Sequence, residues 1–417
     1  MRFSLSQKRY REMRVLFITE SSLTKPILRS QGLPHLKALA QRGHEIFLLS
    51  FESPLRGDQA KEYDRIVGVY QDSIRFLCFR ILPAKIVRAQ LQMLLIGPIV
   101  ALFFVLWFRI HCIHARSYVP AILALVTKVT VGTRMIFDMR GLFIDEMISW
   151  GVWKENTFVV RMMRFFEKQC ILKADDVVVV SEAFKKYLLT LEFVKSARRD
   201  GKFEVIPNCV SLERFRSDDH NAARKRLNVE NKIVLVYAGS LDSHQRPLDM
   251  VRFFSAFSKI SDQAFFLFLT YGSVQAANVL FENSLIDPLR YRVLQVNPDD
   301  VPEYLSAGNC AILLRNEELL NRVACPLKFA EYLAAGLPVL ISGGIGDTES
   351  IVRQHSVGVV LDDLTDENLG RAAQELTFSL EKENSEKGRS CRHVTQLYFS
   401  FNIALERYAD IYRSIQA

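Results

Sequence analysis

Short apolar runs, rich in branched and aromatic residues, recur along this 417-residue chain, and between them lie polar turns and stretches with helical spacing. They are Arg14–Thr19 (RVLFIT), His44–Leu49, Ile110–His114, Arg134–Phe137, Asp176–Val180, Phe203–Ile206, Lys232–Ala238, Ala264–Thr270, Cys310–Leu314 and Pro338–Ser342. Such runs are apolar almost throughout instead of alternating with polar residues. A strand of that kind must be covered on both faces, which is the condition of a parallel sheet flanked by helices. Between the first two runs, Leu33–Arg42 is amphipathic and closed by Gly43, completing a strand–helix–strand unit. A chain of this length exceeds one ordinary core and suits two domains of about 200 residues. The expected fold class is therefore α/β, with two Rossmann-like doubly wound domains facing each other across a cleft and ligands beyond the carboxyl ends of the strands. The charged stretch Lys195–Lys202 (KSARRDGK) marks the expected boundary. It divides the chain into residues 1–200 and residues 201–396, while the tail Leu397–Ala417, apolar at helical spacing, is expected to pack back on the first domain.

Charge narrows the class of partner. A net charge of +8 favours phosphate-bearing substrates or an anionic membrane surface. The basic residues are dispersed and no recognition motif is present, which argues against nucleic acid. Seven cysteines, none at C-x-x-C spacing and most in apolar runs, read as reduced thiols and offer no metal site. The N-terminal stretch is basic but lacks an apolar core before the first strand, so no signal peptide is expected and a cytoplasmic location is. Met93–Phe108 (MLLIGPIVALFFVLWF) is the most apolar segment, interrupted by Gly97-Pro98 and flanked by Arg75, Arg80, Lys85, Arg88 and Arg109. It reads as a helix lying in the membrane interface, its flanks held by anionic lipid. The alternative is a core helix of the first domain.

Residues 325–340 (CPLKFAEYLAAGLPVL) combine Pro326 at a helix start, Gly336 at its end and Pro338 just beyond. The helix between is apolar nearly all round, yet carries Glu331 in its middle and Lys328 one turn earlier. A buried carboxylate is costly unless paired or hydrogen-bonded. Two partners suit it: the diol of a nucleotide ribose, or Lys328 itself in a private ion pair.

This stretch resembles the nucleotide-binding signature of glycosyltransferase family 4, in the form S-P-x-K-x-x-E-Y-L-A-x-G-x-P-V of a polysaccharide-synthesis branch, with Cys325 in place of Ser. Other segments resemble the family in the same order: His114-Ala115-Arg116-Ser117, Ile206-Pro207-Asn208, Ala238-Gly239-Ser240-Leu241, and Gly346-Asp347 before a helix. The resemblance implies the GT-B fold and a retaining hexosyl transfer without a metal or other cofactor. It casts Glu331 as the ribose-binding residue and Arg246, with Lys328, as the cations that meet the donor diphosphate. Gly239, Ser240 and Pro326 belong to the same donor-binding set. His114 matches the active-site histidine, and Arg116 and Arg140 are candidates for acceptor or phosphate. Two positions depart from the family: Val323 stands where a second glutamate is usual, with Glu317, Glu318 and Asn321 nearby, and Ser240 replaces a phosphate-binding arginine. The implied donor is a nucleotide sugar. The implied acceptor is a saccharide, expected to be lipid-linked, in cell-surface polysaccharide synthesis at the inner face of the plasma membrane. Alternatives of other kinds are a sugar-nucleotide epimerase of the same fold and a non-catalytic membrane-associated subunit.

Overall fold

The computed structural model describes residues 12–82, 86–215, 220–241, 243–381 and 384–416. The basic N-terminal stretch before residue 12 and Lys85 lie outside the described residues. The chain forms two compact units. One comprises the residues up to Val180, Lys185–Ile206 and the tail from Ala404; the other comprises Ser181–Phe184 and Pro207–Ile403.

The first unit carries β1 (Arg14–Thr19), β2 (Glu45–Glu52), β3 (Ile74–Arg80), β4 (Cys112–Arg116), β5 (Arg134–Asp138), β6 (Asp176–Val179) and β7 (Phe203–Val205). They form one all-parallel sheet in the order β3-β2-β1-β4-β5-β6-β7. The second unit carries β8 (Ile233–Ala238), β9 (Ala264–Thr270), β10 (Tyr291–Gln295), β11 (Cys310–Leu313), β12 (Val339–Ser342) and β13 (Gly358–Leu361). These are parallel too, in the order β10-β9-β8-β11-β12-β13. In both sheets the chain runs outward from a central strand, then returns to start again on its other side. That reversal opens a crevice at the carboxyl ends of β1 and β4 in one unit, and of β8 and β11 in the other.

The second sheet shows why its strands read as continuous apolar runs. Alternate residues of β8 enter different cores: Val234, Val236 and Ala238 one, Leu235 and Tyr237 the other. The first core takes Phe329, Tyr332 and Leu333 of the helix Leu327–Ala334, and the second takes Phe253, Phe254 and Phe257 of the helix Pro247–Ile260. With both faces covered, no position on the strand favours a polar side chain.

Two segments differ from the sequence-based expectation. Phe203–Ile206 was expected to open the second domain, but β7 pairs with β6 as the edge strand of the first sheet, with Val177 opposite Phe203. A three-residue strand lacks the length to declare which sheet it joins. The tail expected as a helix from Leu397 begins instead at Phe401: Leu397 and Tyr398 end the preceding helix Asn384–Tyr398, and the break lies where the Phe399 carbonyl accepts the Val210 N–H at 2.8 Å.

The apolar segment forms a helix from Ile86 to Trp107, with Pro98 inside it. Its residues Met93, Ala101 and Val105 are buried, and a side chain on Gly97 would meet Leu123 at 2.5 Å, so that face packs closely on the helix Tyr118–Val131. The opposite face is exposed: Leu91, Leu95, Ile99, Phe103 and Trp107 follow one another at four-residue intervals. Trp107 is 70% exposed and stacks on Phe103, with ring centroids 5.6 Å apart. The helix is thus half core and half bare apolar stripe.

Candidate active site

In the second unit, the helix Leu327–Ala334 is fixed under the end of β8 by Tyr332, whose hydroxyl accepts the Ala238 N–H at 2.9 Å. Asn208 secures its start: its side-chain amide donates to the Cys325 carbonyl at 2.6 Å. Pro326 is the residue just before the helix, at φ −65°, so its missing N–H costs nothing. The two quoted motifs around Asn208 and Cys325 therefore meet in space.

Lys328 and Glu331 do not pair with each other. Lys328 Nζ lies 5.2 Å from the centroid of the Tyr237 ring and donates to Gln245 Oε1 at 3.2 Å. It runs across Gly239, where a Cβ would stand 2.1 Å from the ammonium and 2.6 Å from the Tyr237 hydroxyl. A side chain there would have to displace the Lys328 ammonium. The Tyr237 hydroxyl donates to the Ser240 carbonyl at 2.7 Å, shaping the turn that follows β8. Among the described residues, the Glu331 carboxylate has neither a hydrogen bond nor an ion pair. Burial pushes its pKa up to about 7, against the opposing pull of Arg214 and Lys328. It is a half-buried acid facing positive charge at a distance, with its acceptor oxygens unused.

Arg246 stands before the helix Pro247–Ile260 in the left-handed region, at φ 47°. Its Nε lies 2.5 Å from Asp249, a carboxylate shared with Arg252, and 39% of its side chain remains exposed. The loop after β11 approaches the same turn: Glu318 stands 3.4 Å from the His244 ring and accepts from Asn316 at 2.7 Å. Val323 is buried and apolar, while Glu317 is exposed. Asn321, only 3% exposed, accepts from Arg315 Nη1 at 3.1 Å, and its carbonyl accepts the Gly346 N–H at 3.0 Å. The Gly343–Gly346 turn is therefore tied to this loop, and the Asp347 carboxylate accepts the backbone N–H groups of Glu182 and Ala183.

In the first unit, the polar residues at the ends of β4 and β5 gather around Asp138, which is fully buried. Arg116 Nη1 stands 3.4 Å from Asp138 Oδ2, and Arg140 Nη1 stands 3.2 Å from Oδ1. The Tyr408 hydroxyl donates to Oδ2 at 3.2 Å. Burial by itself would raise the Asp138 pKa, but Arg140, the His114 contact and Arg116 outweigh it and hold the group well below the usual carboxylate range. His114 is 2% exposed, bonded at 2.8 Å through Nδ1 to Tyr412 and 3.5 Å through Nε2 from Asp138. Burial lowers its pKa, against the opposing pull of Asp138. It lies two residues inside the end of its strand, enclosed by Phe17, Tyr408 and Tyr412. Arg116 and Arg140, not His114, are the groups nearest the sheet's carboxyl edge.

Sequence reasoning left out three groups. Asp138 follows the run Arg134–Phe137, where a polar residue is ordinary, and its link to Arg116 and Arg140 is made across the sheet. Glu20, after β1, accepts from Ser117 at 2.6 Å, and burial raises its pKa with Glu146 adding to the shift. Arg315, after β11, carried no signal, since one arginine beyond an apolar run is ordinary.

Residues 35–209 match the family model described as Glycosyl transferase 4-like domain. No curated protein sequence matches the chain. Among solved structures, a glycosyltransferase from Rickettsia africae ESF-5 superposes with a TM-score of 0.68 at 16% identity, covering 98% of this chain and 99% of that one. Anabaena Alr3699/HepE, solved in complex with UDP and glucose, gives 0.69 at 13% identity, covering 96% and 100%. Sucrose-phosphate synthase from Thermosynechococcus elongatus gives 0.69 at 16%, covering 97% and 99%. Residues 35–209 are thus similar to the glycosyl transferase 4-like domain, and the two parallel sheets have the GT-B fold of these structures.

Proposed function

We propose that this chain is a glycosyltransferase that takes a hexose from a nucleoside-diphosphate sugar and passes it, with retention, to a lipid-linked saccharide acceptor during cell-surface polysaccharide synthesis. The observation that carries the donor assignment is Glu331: an acid half-buried on an apolar helix that packs under β8, with no hydrogen bond or ion pair to its carboxylate among the described residues. A ribose diol would donate two hydrogen bonds to it. HepE, a structural neighbour, was solved with UDP and glucose, which supports a nucleotide-sugar ligand for this fold. Lys328 and Arg246 would meet the diphosphate without a metal ion, and the Gly239 turn lets its backbone come close. In the reaction, the acceptor oxygen bonds to the anomeric carbon as the bond to the β-phosphate oxygen breaks. Attack is on the same face, and the hydroxyl proton passes to the departing diphosphate, whose growing charge the fixed cations stabilise. Arg116 and Arg140, partly neutralised by Asp138, suit the acceptor's polar groups. His114 is better suited to holding Asp138 than to touching sugar.

The bare stripe Leu91–Trp107 supports docking on an anionic membrane surface, with Arg88 and Arg109 at the two ends of the helix. The segment Arg88–Trp107 is long and apolar enough to cross a bilayer, but one face already packs on the first unit, so we read it as lying in the interface.

The test is calorimetric titration of the wild type and Glu331→Gln with UDP, GDP, ADP and dTDP, followed by mass analysis of transfer from the matching labelled sugar nucleotide to membrane lipid extract. Binding that is lost in Glu331→Gln, with acceptor-dependent transfer, is expected. Donor conversion without acceptor would instead indicate an epimerase, and equal binding by both proteins would remove the Glu331 assignment.

A further inference from the structure

Other enclosed arginines among the described residues have several acceptors or a carboxylate partner. Arg224, 6% exposed, donates to the carbonyls of Ala307, Val229, Glu230 and Lys232 and to the Asn309 side chain. Arg116 and Arg140 share Asp138. Arg315 is different. Its backbone is pinned at the end of β11, the N–H donating to Ser342 Oγ at 2.9 Å and the carbonyl accepting from the same hydroxyl at 3.0 Å. Its guanidinium makes a single hydrogen bond among the described residues, from Nη1 to the neutral Asn321 amide at 3.1 Å, and no ion pair. The Nε is enclosed without an acceptor. Burial lowers the pKa of the group, and the nearest groups that could favour its charge are the weakly acidic Tyr237, Tyr332 and Cys325.

A guanidinium so desolvated and so poorly paired is a cost to the folded protein. Its location gives the reason for carrying it. Arg315 follows β11, the strand beside β8, so it borders the crevice where the chain reverses. Tyr237, one of the groups that favour its charge, also contacts Lys328 and shapes the turn at Ser240. Ser240 is the position where the family resemblance leads one to expect a cation. We propose that Arg315 supplies that cation from the neighbouring strand and binds the diphosphate of the donor through its fork of N–H groups. This rests on the nucleotide-sugar reading above.

The experiment compares wild type with Arg315→Met and Arg224→Met. Without ligand, Arg315→Met should melt at the wild-type temperature or above it, because an uncompensated charge has been removed, whereas Arg224→Met should melt lower. Calorimetry then uses whichever of UDP, GDP, ADP or dTDP binds wild type, together with its parent nucleoside. Arg315→Met should bind the diphosphate about tenfold to hundredfold more weakly and the nucleoside with unchanged affinity. Should Arg315→Met prove unstable, Arg315 is a structural residue and the proposal is overturned. Undiminished diphosphate binding by a stable Arg315→Met overturns it as well, and leaves the functional reading intact. If wild type binds none of the four nucleotides, the functional reading fails and this proposal falls with it.

Discussion

Glu331 links a local packing fact to a measurable pH dependence. Its folded pKa, about 7, lies above the ordinary value of 4.5 because burial disfavours the ionised form. The folded protein therefore holds this proton more tightly than the unfolded chain does. Stability without ligand should fall as pH rises from about 4.5 to about 7 and then level off, by at most about 3 kcal/mol. Urea midpoints at pH 5 and pH 8 should differ less in Glu331→Gln than in wild type, and parallel behaviour of the two proteins would contradict the assignment. Nucleotide affinity should move the other way, rising with pH through 7 as the carboxylate ionises and becomes a better acceptor for a diol. Asp138 has the opposite sign. Its depressed pKa contributes stability above the ordinary carboxylate range, lost only as pH falls through the folded value. Asp138→Asn should leave Arg116 and Arg140 uncompensated and lower stability by about 3–5 kcal/mol in a denaturant titration near neutral pH. Glu331 was visible in the sequence because a charge inside an apolar helix breaks its pattern. Asp138 and Arg315 were not singled out, because polar residues are normal at strand ends and their partnerships are made across the sheet.

At the level of elements, legibility followed burial. β1 and β9 occupy the residues expected of them, and the other interior strands depart by one to three residues at an end, except β4, which sits two residues later than Ile110–His114. β3, β10 and β13 were not foreseen, and all three are edge strands. One flank of an edge strand has no strand to cover it. β3 (IRFLCFR) and β10 (YRVLQ) carry arginines and are only partly buried, so the unbroken apolar signal fails there. Turns were marked by glycine, but glycine does not say how much depends on it. Gly344 and Gly346 both have positive φ, at 72° and 46°. A Cβ on Gly344 meets open space, whereas one on Gly346 would stand 1.8 Å from the Ala324 carbonyl oxygen, in the loop that carries Asn321. Gly344→Ala should cost only the backbone penalty of about 1 kcal/mol, and Gly346→Ala about 2–4 kcal/mol more, since backbone must move. Thermal unfolding of the two variants side by side checks this, and equal losses would mean the loop yields freely.

On the scale of the whole molecule, the chain begins its first unit, builds the second, and returns to finish the first. Composition announced two cores, but the return could be expected only from the apolar spacing of the last helix. What that helix brings is specific. From Ala404 onward it belongs to the first unit, and it delivers Tyr408 to Asp138 and Tyr412 to His114, both tyrosines being buried. Ile411 is buried beside them, and Arg407 donates to the Val205 carbonyl of β7. The polar cluster at the carboxyl edge of the first sheet is thus incomplete until the last residues have been made. Ending the chain at Ser400 removes two buried aromatic side chains and one hydrogen bond to the Asp138 carboxylate. The first unit should lose several kcal/mol, on the scale of about 3–5 kcal/mol for each large buried side chain deleted. The second unit keeps both of its cores, because Cys391, Val394 and Phe399 lie before the cut. Hydrogen exchange of the truncated chain should therefore show β1, β4 and β5 losing protection while β8, β9 and β11 retain theirs. Uniform loss across both sheets would show that the two units unfold as one.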